Sequence, residues 1–392
     1  MTATIHPFPA RMAPELALAA LKDVVGGGTI VDPMMGSGTV IRQATELGLQ
    51  AIGFDMDPLA VLMSRVWTTP VDDEAIEKVY AKLAKLALAV DPTSISLPWI
   101  DDDTETRDFV GYWFGRQQAD ALRCWSWAIA TVANEATPAE TIALDVARIA
   151  LSRIIVTKEQ CASLARDTSH SRPHRVTLSS DYCVHQGLAR SMKMVRNRLK
   201  KSPPIGGAKV LRGDARAMPL PDRSVDAILT SPPYLNAIDY LRGHRMSLVW
   251  LGHKLGELRS IRSDSIGAER RPDPGAVIEA EVKASLGDLS SLPLRHQAMI
   301  ERYVFDVVAL ATEVGRLLKA GGIATMVVGN STLKGVFIKN SAAVSKALEL
   351  QGLTFISETV RALPSGSRYL PTAPGSTLAN RMREETILKL VA

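Results

Sequence analysis

Residues 29–39 read TIVDPMMGSGT, a short apolar run followed by an aspartate and a glycine-rich turn. The run TIVD predicts a buried strand, because it is short, apolar and rich in β-branched residues. Gly36 and Gly38 can adopt positive φ angles and let a ligand approach the backbone closely. A helix is expected from the turn to about Leu47, and its N-terminal amides can receive a ligand's carboxylate. This stretch therefore predicts an α/β fold with a ligand site after the first strand.

The chain on either side repeats the same strand–helix alternation. Before the quoted stretch, Pro14 begins a helical pattern that ends at three consecutive glycines. After it, QAIGFD (50–55) predicts a second strand, and a helix is expected from Pro58. The alternation resumes with strands in AKVLRGD (208–214) and SVDAILT (224–230) and continues towards the C-terminus. This order predicts a doubly wound parallel sheet with helices on both faces.

The segment between these two regions has a different pattern. From about residue 72 to 205, runs such as EAIEKVYAKLAKLALAV show helical periodicity without strand alternation. We therefore predict a first part of the core at 1–71, a large helical insertion at 72–205 and a second part of the core at 206–392. An irregular polar insertion is expected near 257–293, where Gly, Pro and charged residues are frequent.

The composition excludes several classes of protein. The 392-residue chain is 46% hydrophobic and 22% charged, which is typical of a soluble globular protein. No apolar run approaches the roughly 20 residues that span a bilayer, and the N-terminus has no secretory signal pattern. Three cysteines without a CxxC spacing predict neither a disulfide framework nor a structural zinc, and favour a reducing cytoplasm. We predict no metal, since His170 and His174 have neither a cysteine nor paired carboxylates nearby in the sequence.

Polar residues follow four of the predicted strands. Asp32 and Asp55 follow the first two strands, and Asp214 and Ser231 follow the later two. Ligands bind outside the carboxyl ends of strands in open α/β sheets, so these residues are expected near one another. An acid such as Asp55, about 20 residues after the glycine-rich turn, can hold a ribose hydroxyl pair. Each feature has a structural alternative: a tight connection for the turn, a helix cap for Asp55 and a turn residue for Asp214.

Two common nucleotide sites do not match the glycine-rich turn. The chain has no Gly-x4-Gly-Lys-Ser/Thr motif, which argues against a nucleoside triphosphatase. Ile41 stands where a GxGxxG motif has its third glycine, so a dehydrogenase is disfavoured.

The stretch TSPPY (230–234) follows the strand SVDAIL. Two adjacent prolines fix two φ angles and restrict Ser231 in front of them. Such a rigid turn can hold the Ser231 hydroxyl and the Pro232 carbonyl as hydrogen-bond acceptors. The alternative is an ordinary turn at a strand end.

DPMMGSGT, GFDMDP and TSPPY resemble the cofactor and catalytic motifs of S-adenosylmethionine-dependent DNA amino-methyltransferases. HPFPARMAPEL near the N-terminus resembles a further cofactor motif of this family. The resemblance covers roughly residues 5–70 and 205–390, and it implies a Rossmann-like class I methyltransferase sheet. The SPPY form is similar to the cytosine-N4 branch, whereas adenine-N6 enzymes more usually carry Asp or Asn at its first position. The helical insertion stands before the Asp214 strand, a departure from the best-known family orders.

The resemblance also implies roles for individual residues. The methionine part of S-adenosylmethionine would be held by the first strand end and its turn, with Asp32, Pro33, Gly36, Ser37, Gly38 and Thr39. Asp55, next to Met56, would hold the ribose hydroxyls, and Asp214 would lie near the adenine. The N-terminal motif would complete the pocket with His6, Phe8, Pro9 and Arg11. The catalytic turn would comprise Ser231, Pro232, Pro233 and Tyr234, with the Tyr234 ring stacked on the target base.

The activity that this family implies is methylation of the exocyclic N4 amine of cytosine in DNA. The amine would attack the methyl group directly, on a base flipped out of the duplex. Carbon-5 methylation is disfavoured, because no Pro-Cys motif is present. The alternatives are adenine-N6 methylation of DNA, amino methylation of RNA and, in a different class, a non-catalytic DNA-binding scaffold. The expected partners are double-stranded DNA and a restriction or other defence protein of a bacterial or archaeal cell.

The positive charge of the chain is unevenly distributed. Between residues 161 and 212 stand eleven Lys or Arg and two acidic residues, a net charge of +9, against +5 for the whole chain. Such a block is typical of a protein that binds phosphate backbones, and the alternative is a solvated surface. The segment LARDTSHSRPHRV (164–176) and the region after the catalytic turn supply the predicted DNA contacts: Arg166, His170, Arg172, His174, Arg175, Arg242 and Arg245.

Overall fold

The computed structural model describes residues 5–8, 11–22, 24, 26–167, 173–235, 239–268, 277, 279–363 and 384–392. The predicted cofactor residue Pro9 and the predicted DNA contacts His170 and Arg172 lie outside these described residues. The chain forms two compact units. The first unit consists of Met1–Pro9, Asp57–Gly206 and Asp239–Arg262, and the second of Ala10–Met56, Gly207–Ile238 and Ser263–Ala392.

The strands are Thr29–Asp32 (β1), Gln50–Asp55 (β2), Ala165–Arg166 (β3), His174–Arg175 (β4), Ala208–Arg212 (β5), Val225–Thr230 (β6), Leu318–Val328 (β7), Ser331–Leu333 (β8), Val336–Ile338 (β9), Thr354–Ala362 (β10) and Glu384–Val391 (β11). The α-helices are Pro14–Leu21 (α1), Thr39–Glu46 (α2), Pro58–Thr68 (α3), Asp73–Ala89 (α4), Pro98–Asp101 (α5), Thr104–Trp113 (α6), Arg116–Ala133 (α7), Pro138–Ser152 (α8), Val184–Lys201 (α9), Tyr240–Leu248 (α10), Leu255–Asp264 (α11), Ala280–Ser285 (α12), Leu294–Leu317 (α13) and Asn340–Leu350 (α14). A 3₁₀ turn, Val249–Leu251, follows α10.

The second unit contains a seven-stranded sheet with the order β10-β11-β7-β6-β1-β2-β5. The five strands from β7 to β5 are parallel, whereas β11 pairs antiparallel with β7 and with β10. From β1 the chain adds β2 and β5 on one side of the sheet, and then β6 and β7 on the other. The strand order therefore reverses between β1 and β6, which is a topological switch point. This arrangement confirms the predicted Rossmann-like class I methyltransferase fold.

The central strands are buried because helices cover the sheet. β1 and β6 show almost continuous burial, as expected for parallel strands covered on both faces. Val31, Phe54 and Ile228 belong to one hydrophobic cluster with Leu310 and Val314 of α13. This packing holds the carboxyl ends of β1, β2 and β6 in a fixed register.

The first unit is mainly helical. It includes the segment 72–205, which contains α4 to α9, but also α3 and Asp239–Arg262, so the predicted domain boundaries stay a prediction. Side-chain caps mark several helix starts: Asp72 accepts a hydrogen bond from the Ala75 amide, and Thr137 forms a capping box with Glu140. The Tyr80 ring of α4 stacks on Trp125 of α7, with ring centroids 5.9 Å apart. No helix within the described ranges is long and apolar enough to cross a membrane.

Two short hairpins were not expected from the sequence. β3 pairs with β4, and β8 pairs with β9 through Lys334 and Gly335, which both have positive φ. A two-residue turn with two positive φ angles matches strand twist, but Lys-Gly is a weaker signal of it than Asn-Gly. Helix α13 ends at Leu317, directly before β7, which contains the Gly321-Gly322 pair and pairs with β6 and β11.

Candidate active site at the carboxyl ends of β1, β2 and β6

The loop after β1 is shaped by its glycines and by contacts with β2. Gly36 and Gly38 have φ angles of 50° and 83°, in the left-handed region that favours glycine. The Met35 amide donates to the Phe54 carbonyl at 2.9 Å, and the Gly38 amide donates to the Met35 carbonyl at 2.8 Å. Gly53 makes room for this loop, because a Cβ there would lie 2.4 Å from the Met35 sulfur. The loop is thereby held against β2.

Polar groups of the same loop form a cradle at the start of α2. The Gly36 amide donates to Asp55 Oδ2 at 2.9 Å. Ser37 Oγ and Thr39 Oγ1 are buried and have no hydrogen-bond partner among the described residues. Unsatisfied buried hydroxyls are costly, so they indicate a ligand that completes their hydrogen bonds. These groups fit the amino-acid and ribose parts of a nucleoside cofactor.

Asp55 does not cap the helix that follows it. The cap of α3 is Asp57, whose side chain accepts a hydrogen bond from the Leu59 amide at 2.8 Å. The structural alternative for Asp55 is therefore wrong, and its half-buried carboxylate lies at the end of β2 beside the loop.

Asp32 is buried at the end of β1, with 3% of its surface exposed. It accepts hydrogen bonds from Thr230 Oγ1 at 2.7 Å and from the Met34 amide at 3.2 Å. Burial raises the pKa of Asp32 to about 7 because it disfavours the charged form, and the charge of Asp55 adds to this effect. The hydrogen bonds from Thr230 and Met34 oppose the rise. Thr230, which the sequence analysis did not single out, thus joins the end of β6 to the end of β1.

The predicted catalytic turn begins directly after Thr230. The Ser231 hydroxyl donates to the Val327 carbonyl of β7 at 3.0 Å and lies 3.2 Å from the Tyr234 hydroxyl. Tyr234 is partly buried against the hydrophobic cluster of the second unit. Burial raises the pKa of Tyr234 to about 12, so its hydroxyl is neutral near pH 7. Pro232 is buried and Pro233 is half-buried.

Asp214 forms a turn and an ion pair. Its carboxylate accepts from the Arg216 amide at 2.9 Å, and both of its oxygens contact the Arg216 guanidinium at distances from 2.7 to 3.2 Å. Arg216 also contacts Asp306, a fully buried residue of α13. The turn role is therefore present in the structure, and the predicted place of Asp214 near an adenine stays a prediction.

The residues of the N-terminal motif belong to different units. Arg11 is a half-buried residue of the second unit. In the first unit, His6 Nε2 lies 2.9 Å from Ser152 Oγ, and the Phe8 ring stacks on Tyr240 at 5.0 Å between centroids.

The first unit also contains a buried ion pair that the sequence analysis missed. His244 Nδ1 makes a short contact with Asp57 Oδ2, and both residues are buried. Burial works against the charge of Asp57, but the charge and hydrogen bond of His244 outweigh it and lower the pKa of Asp57. The partners stand 187 positions apart, so no local pattern indicates this pair.

The predicted DNA contacts with described side chains all lie in the first unit, and each arginine among them is engaged within the protein. Arg166 donates to the Ala165 carbonyl at 2.7 Å, and Arg242 lies 3.4 Å from Asp239. Arg175 lies over the Tyr112 ring at 4.9 Å, and Arg245 over Phe109 at 5.2 Å. Burial lowers the pKa of Arg245. His174 is exposed on β4. Their proposed contact with DNA stays a prediction.

No cluster of three or more His, Cys, Asp or Glu in the described part of the chain could hold a metal ion.

Comparison with known proteins identifies relatives along the whole chain. A curated protein, the Type II methyltransferase M.MvaI of Kocuria varians, is 22% identical over all of this chain and 91% of its own length. M.BsoBI of Geobacillus stearothermophilus, another Type II methyltransferase, is 25% identical over 60% of this chain and 49% of its own length. These similarities support a DNA methyltransferase family for the chain. The prediction of a DNA methyltransferase is thereby confirmed, and with it the predicted cofactor, S-adenosylmethionine, whereas the cytosine-N4 branch stays a prediction.

Other comparisons are more limited. M.MjaII of Methanocaldococcus jannaschii is 36% identical over 19% of this chain and 14% of its own length. A DNA modification methylase structure from Thermus thermophilus is 17% identical over 46% of this chain and 50% of that chain, with a TM-score of 0.23. This overlap is too small to bear on function, and the fold rests on the strand order given above. No protein-family model matches the chain.

The raised pKa of Asp32 predicts a pH dependence of stability in the absence of cofactor. The pKa of Asp32 in the folded protein, about 7, lies above the ordinary value of 3.8, so the stabilisation is fully present below pH 3.8 and is lost as pH rises through 7. We expect Asp32→Asn to remove this loss. Between pH 5 and pH 8, the free energy of unfolding of the wild type should fall by on the order of 2 kcal/mol relative to Asp32→Asn.

Chemical denaturation of both proteins at several pH values between these limits tests the expectation. Parallel stability curves for the two proteins would show that Asp32 does not titrate in this range.

Proposed function

We propose that this DNA methyltransferase transfers a methyl group from S-adenosylmethionine to the exocyclic N4 amine of cytosine. The observation that carries the proposal is the Ser231 hydroxyl, which follows the end of β6 and donates its proton to the Val327 carbonyl. A hydroxyl has one proton and two lone pairs. Because the proton of Ser231 is donated to Val327, its lone pairs are left to accept hydrogen bonds. Ser231 is therefore oriented as an acceptor for an amine N–H.

The amine of cytosine needs such acceptors because its lone pair is delocalised into the ring. Two acceptors, the Ser231 hydroxyl and the Pro232 carbonyl, would bind its two N–H groups and direct the lone pair towards the methyl group. Pro232 and Pro233 hold these acceptors in fixed positions, so little reorganisation is needed at the moment of reaction. The amine attacks the methyl carbon directly, which requires no covalent intermediate with the protein.

Tyr234 supports this arrangement in two ways. Its hydroxyl contacts Ser231 at 3.2 Å and, with a pKa of about 12, stays protonated at neutral pH, so it can donate to Ser231. We also propose that its partly exposed ring stacks on the base once the base has left the duplex.

The cradle described above would hold the cofactor, whose sulfonium supplies an electrophilic methyl group. We propose that Ser37 and Thr39 donate to the amino-acid carboxylate at the start of α2, where the helix dipole also favours an anion. Asp32 would face the positive charge of the amino-acid part, and Asp55 would accept hydrogen bonds from the ribose hydroxyls. Asp32 and Ser231 follow neighbouring strands, so the cofactor and the target amine would meet at the switch point between β1 and β6.

Cytosine is proposed over adenine on the identity of one residue. A serine at the first position of the SPPY motif resembles the cytosine-N4 branch, whereas an acid or an amide there is more usual in adenine-N6 enzymes. Duplex DNA is the proposed substrate, and a cognate restriction or defence protein stays a prediction. The helical insertion is proposed as a region that contacts DNA.

The base that receives the methyl group is the direct test of this proposal. Purified protein is incubated with labelled S-adenosylmethionine and duplex DNA of mixed sequence, and the nucleosides are analysed after digestion. We expect N4-methylcytosine. N6-methyladenine as the sole product would overturn the cytosine assignment, label in RNA but not in duplex DNA would overturn the substrate, and absence of both transfer and cofactor binding would favour a non-catalytic scaffold.

Ser231→Ala tests the role of the hydroxyl. The variant loses one acceptor for the amine but no group of the cofactor cradle, so turnover should fall about 100-fold while cofactor affinity changes little. Ser224→Ala is a matched control, because Ser224 precedes the amino end of the same strand and its hydroxyl donates to the Pro221 carbonyl. Single-turnover methyl transfer and calorimetric titration of cofactor measure the two effects. An unchanged rate for Ser231→Ala would remove Ser231 from the mechanism.

A further inference from the structure

Helix α9 has an unusual charge composition. Its sequence, VHQGLARSMKMVRNRLKK, contains six Lys or Arg and no acidic residue. The helix is amphipathic: one face is buried in the first unit through an apolar row that includes Leu188, Met192, Val195 and Leu199. The charges must therefore lie on the remaining faces.

Two of the six cations are neutralised along one side of the helix. Arg196 makes a two-pronged ion pair with Asp73 of α4 and also contacts Glu77. Lys200 contacts Asp73 at 2.7 Å. These contacts hold α9 against α4, so these two cations have a structural role.

A second row of cations lacks such partners. Arg190, Lys193 and Lys201 are exposed, and none of them forms an ion pair with a carboxylate of the described residues. At 100° per residue, these positions and the exposed Met194 and Asn197 fall within one arc of about 100°. The row extends over 12 residues, from Arg190 to Lys201, or about 16 Å along the axis. Repulsion between like charges on one face is unfavourable unless solvent or an anion compensates it.

A further cation lies beside this row. Arg153, at the end of α8, contacts the Met194 sulfur and donates to the Ile5 carbonyl at 2.6 Å. Burial, together with the neighbouring charge of Arg198, lowers the pKa of Arg153 to about 10, so it remains charged at neutral pH. This half-buried guanidinium therefore lies next to the exposed Met194 of the row.

The neighbouring helix α4 shows that this is not a general property of the first unit. Its exposed Lys78, Lys82 and Lys85 share the helix with Asp73, Glu74 and Glu77, and Lys78 pairs with Glu74 at 2.7 Å. α4 therefore carries mixed charge, whereas the exposed row of α9 carries one sign.

We propose that the exposed row of α9, formed by Arg190, Lys193, Asn197 and Lys201, binds the sugar–phosphate backbone of duplex DNA. The inference rests on the proposed DNA substrate. It assigns backbone binding to a surface other than Arg166, Arg175, Arg242 and Arg245, which are half-buried, whereas Arg190, Lys193 and Lys201 are exposed. Contacts of this kind fix the position of a duplex without reading its sequence, because Lys and Arg bind phosphate oxygens of any nucleotide. A DNA duplex presents regularly spaced phosphates, and the cations of α9 stand in a row on a rigid helix that can bind them.

The test is the salt dependence of DNA binding by the full-length protein. The variant combines Arg190→Gln, Lys193→Gln and Lys201→Gln, and the control combines Lys78→Gln, Lys82→Gln and Lys85→Gln, which removes the same charge from α4. Fluorescence anisotropy with a labelled duplex gives the binding constant between about 50 and 200 mM salt. In a plot of the logarithm of this constant against the logarithm of salt concentration, each lost phosphate contact reduces the magnitude of the slope by about 0.9. For the α9 variant, we expect the magnitude of this slope to be smaller by about 2 to 3 and the affinity for DNA to be lower by at least roughly tenfold. The control should keep the wild-type slope.

The outcomes separate this inference from the proposed function. Equal slopes for the α9 variant and the α4 control, with circular dichroism showing both folded, would overturn the inference even if the wild type methylates cytosine. If the α9 variant alone has a flatter slope, the inference stands, and it stands even if the wild type transfers no methyl group. Preferential binding of structured RNA by the same row would overturn the duplex as its partner.

Discussion

The hydrogen bond from Thr230 to Asp32 is the interaction on which the candidate active site depends. It joins the ends of β6 and β1, the two strands at the switch point of the sheet. Asp32 begins the loop that carries the proposed cofactor cradle, and Ser231, the residue after Thr230, begins the proposed catalytic turn and is bonded to β7. Thr230, the last residue of β6, and Ser231, which follows it, therefore bond to the two neighbouring strands, β1 and β7. Cofactor loop and catalytic turn are fixed relative to each other by contacts within a single sheet.

Asp32 also shows how this architecture can favour a cationic ligand. Burial disfavours its charge and raises its pKa to about 7, while Thr230 and Met34 partly offset that cost. A cation beside a buried carboxyl favours ionisation and so lowers its pKa. The free energy that is lost by ionising Asp32 in the cofactor-free protein would then be recovered on binding. The unsatisfied hydroxyls of Ser37 and Thr39 favour a ligand for a similar reason. Their burial without a hydrogen-bond partner costs free energy, and a ligand that completes their hydrogen bonds removes that cost.

The sequence predicted the parts of the fold that depend on local patterns. β1, β2 and the helical insertion follow from short apolar runs, glycine turns and helical periodicity, and the structure contains them. It did not predict the pairs Thr230–Asp32 and Asp57–His244, because their partners stand 198 and 187 positions apart. Composition indicated a basic region but not the direction of each side chain. Arg175 turns onto an aromatic ring, whereas Arg190 remains on an exposed row, and only tertiary packing separates the two.

The central claim is that the Thr230 hydroxyl couples the cofactor loop to the catalytic turn. The most direct test compares Thr230→Val, which keeps the shape but lacks the hydroxyl, with Thr230→Ser, which keeps it. Cofactor affinity by calorimetry and single-turnover methyl transfer are measured on both variants. The account predicts that Thr230→Val weakens cofactor binding by about tenfold, the equivalent of one buried hydrogen bond, and lowers turnover, while Thr230→Ser stays close to the wild type. Equal behaviour of the two variants in both measurements would contradict it.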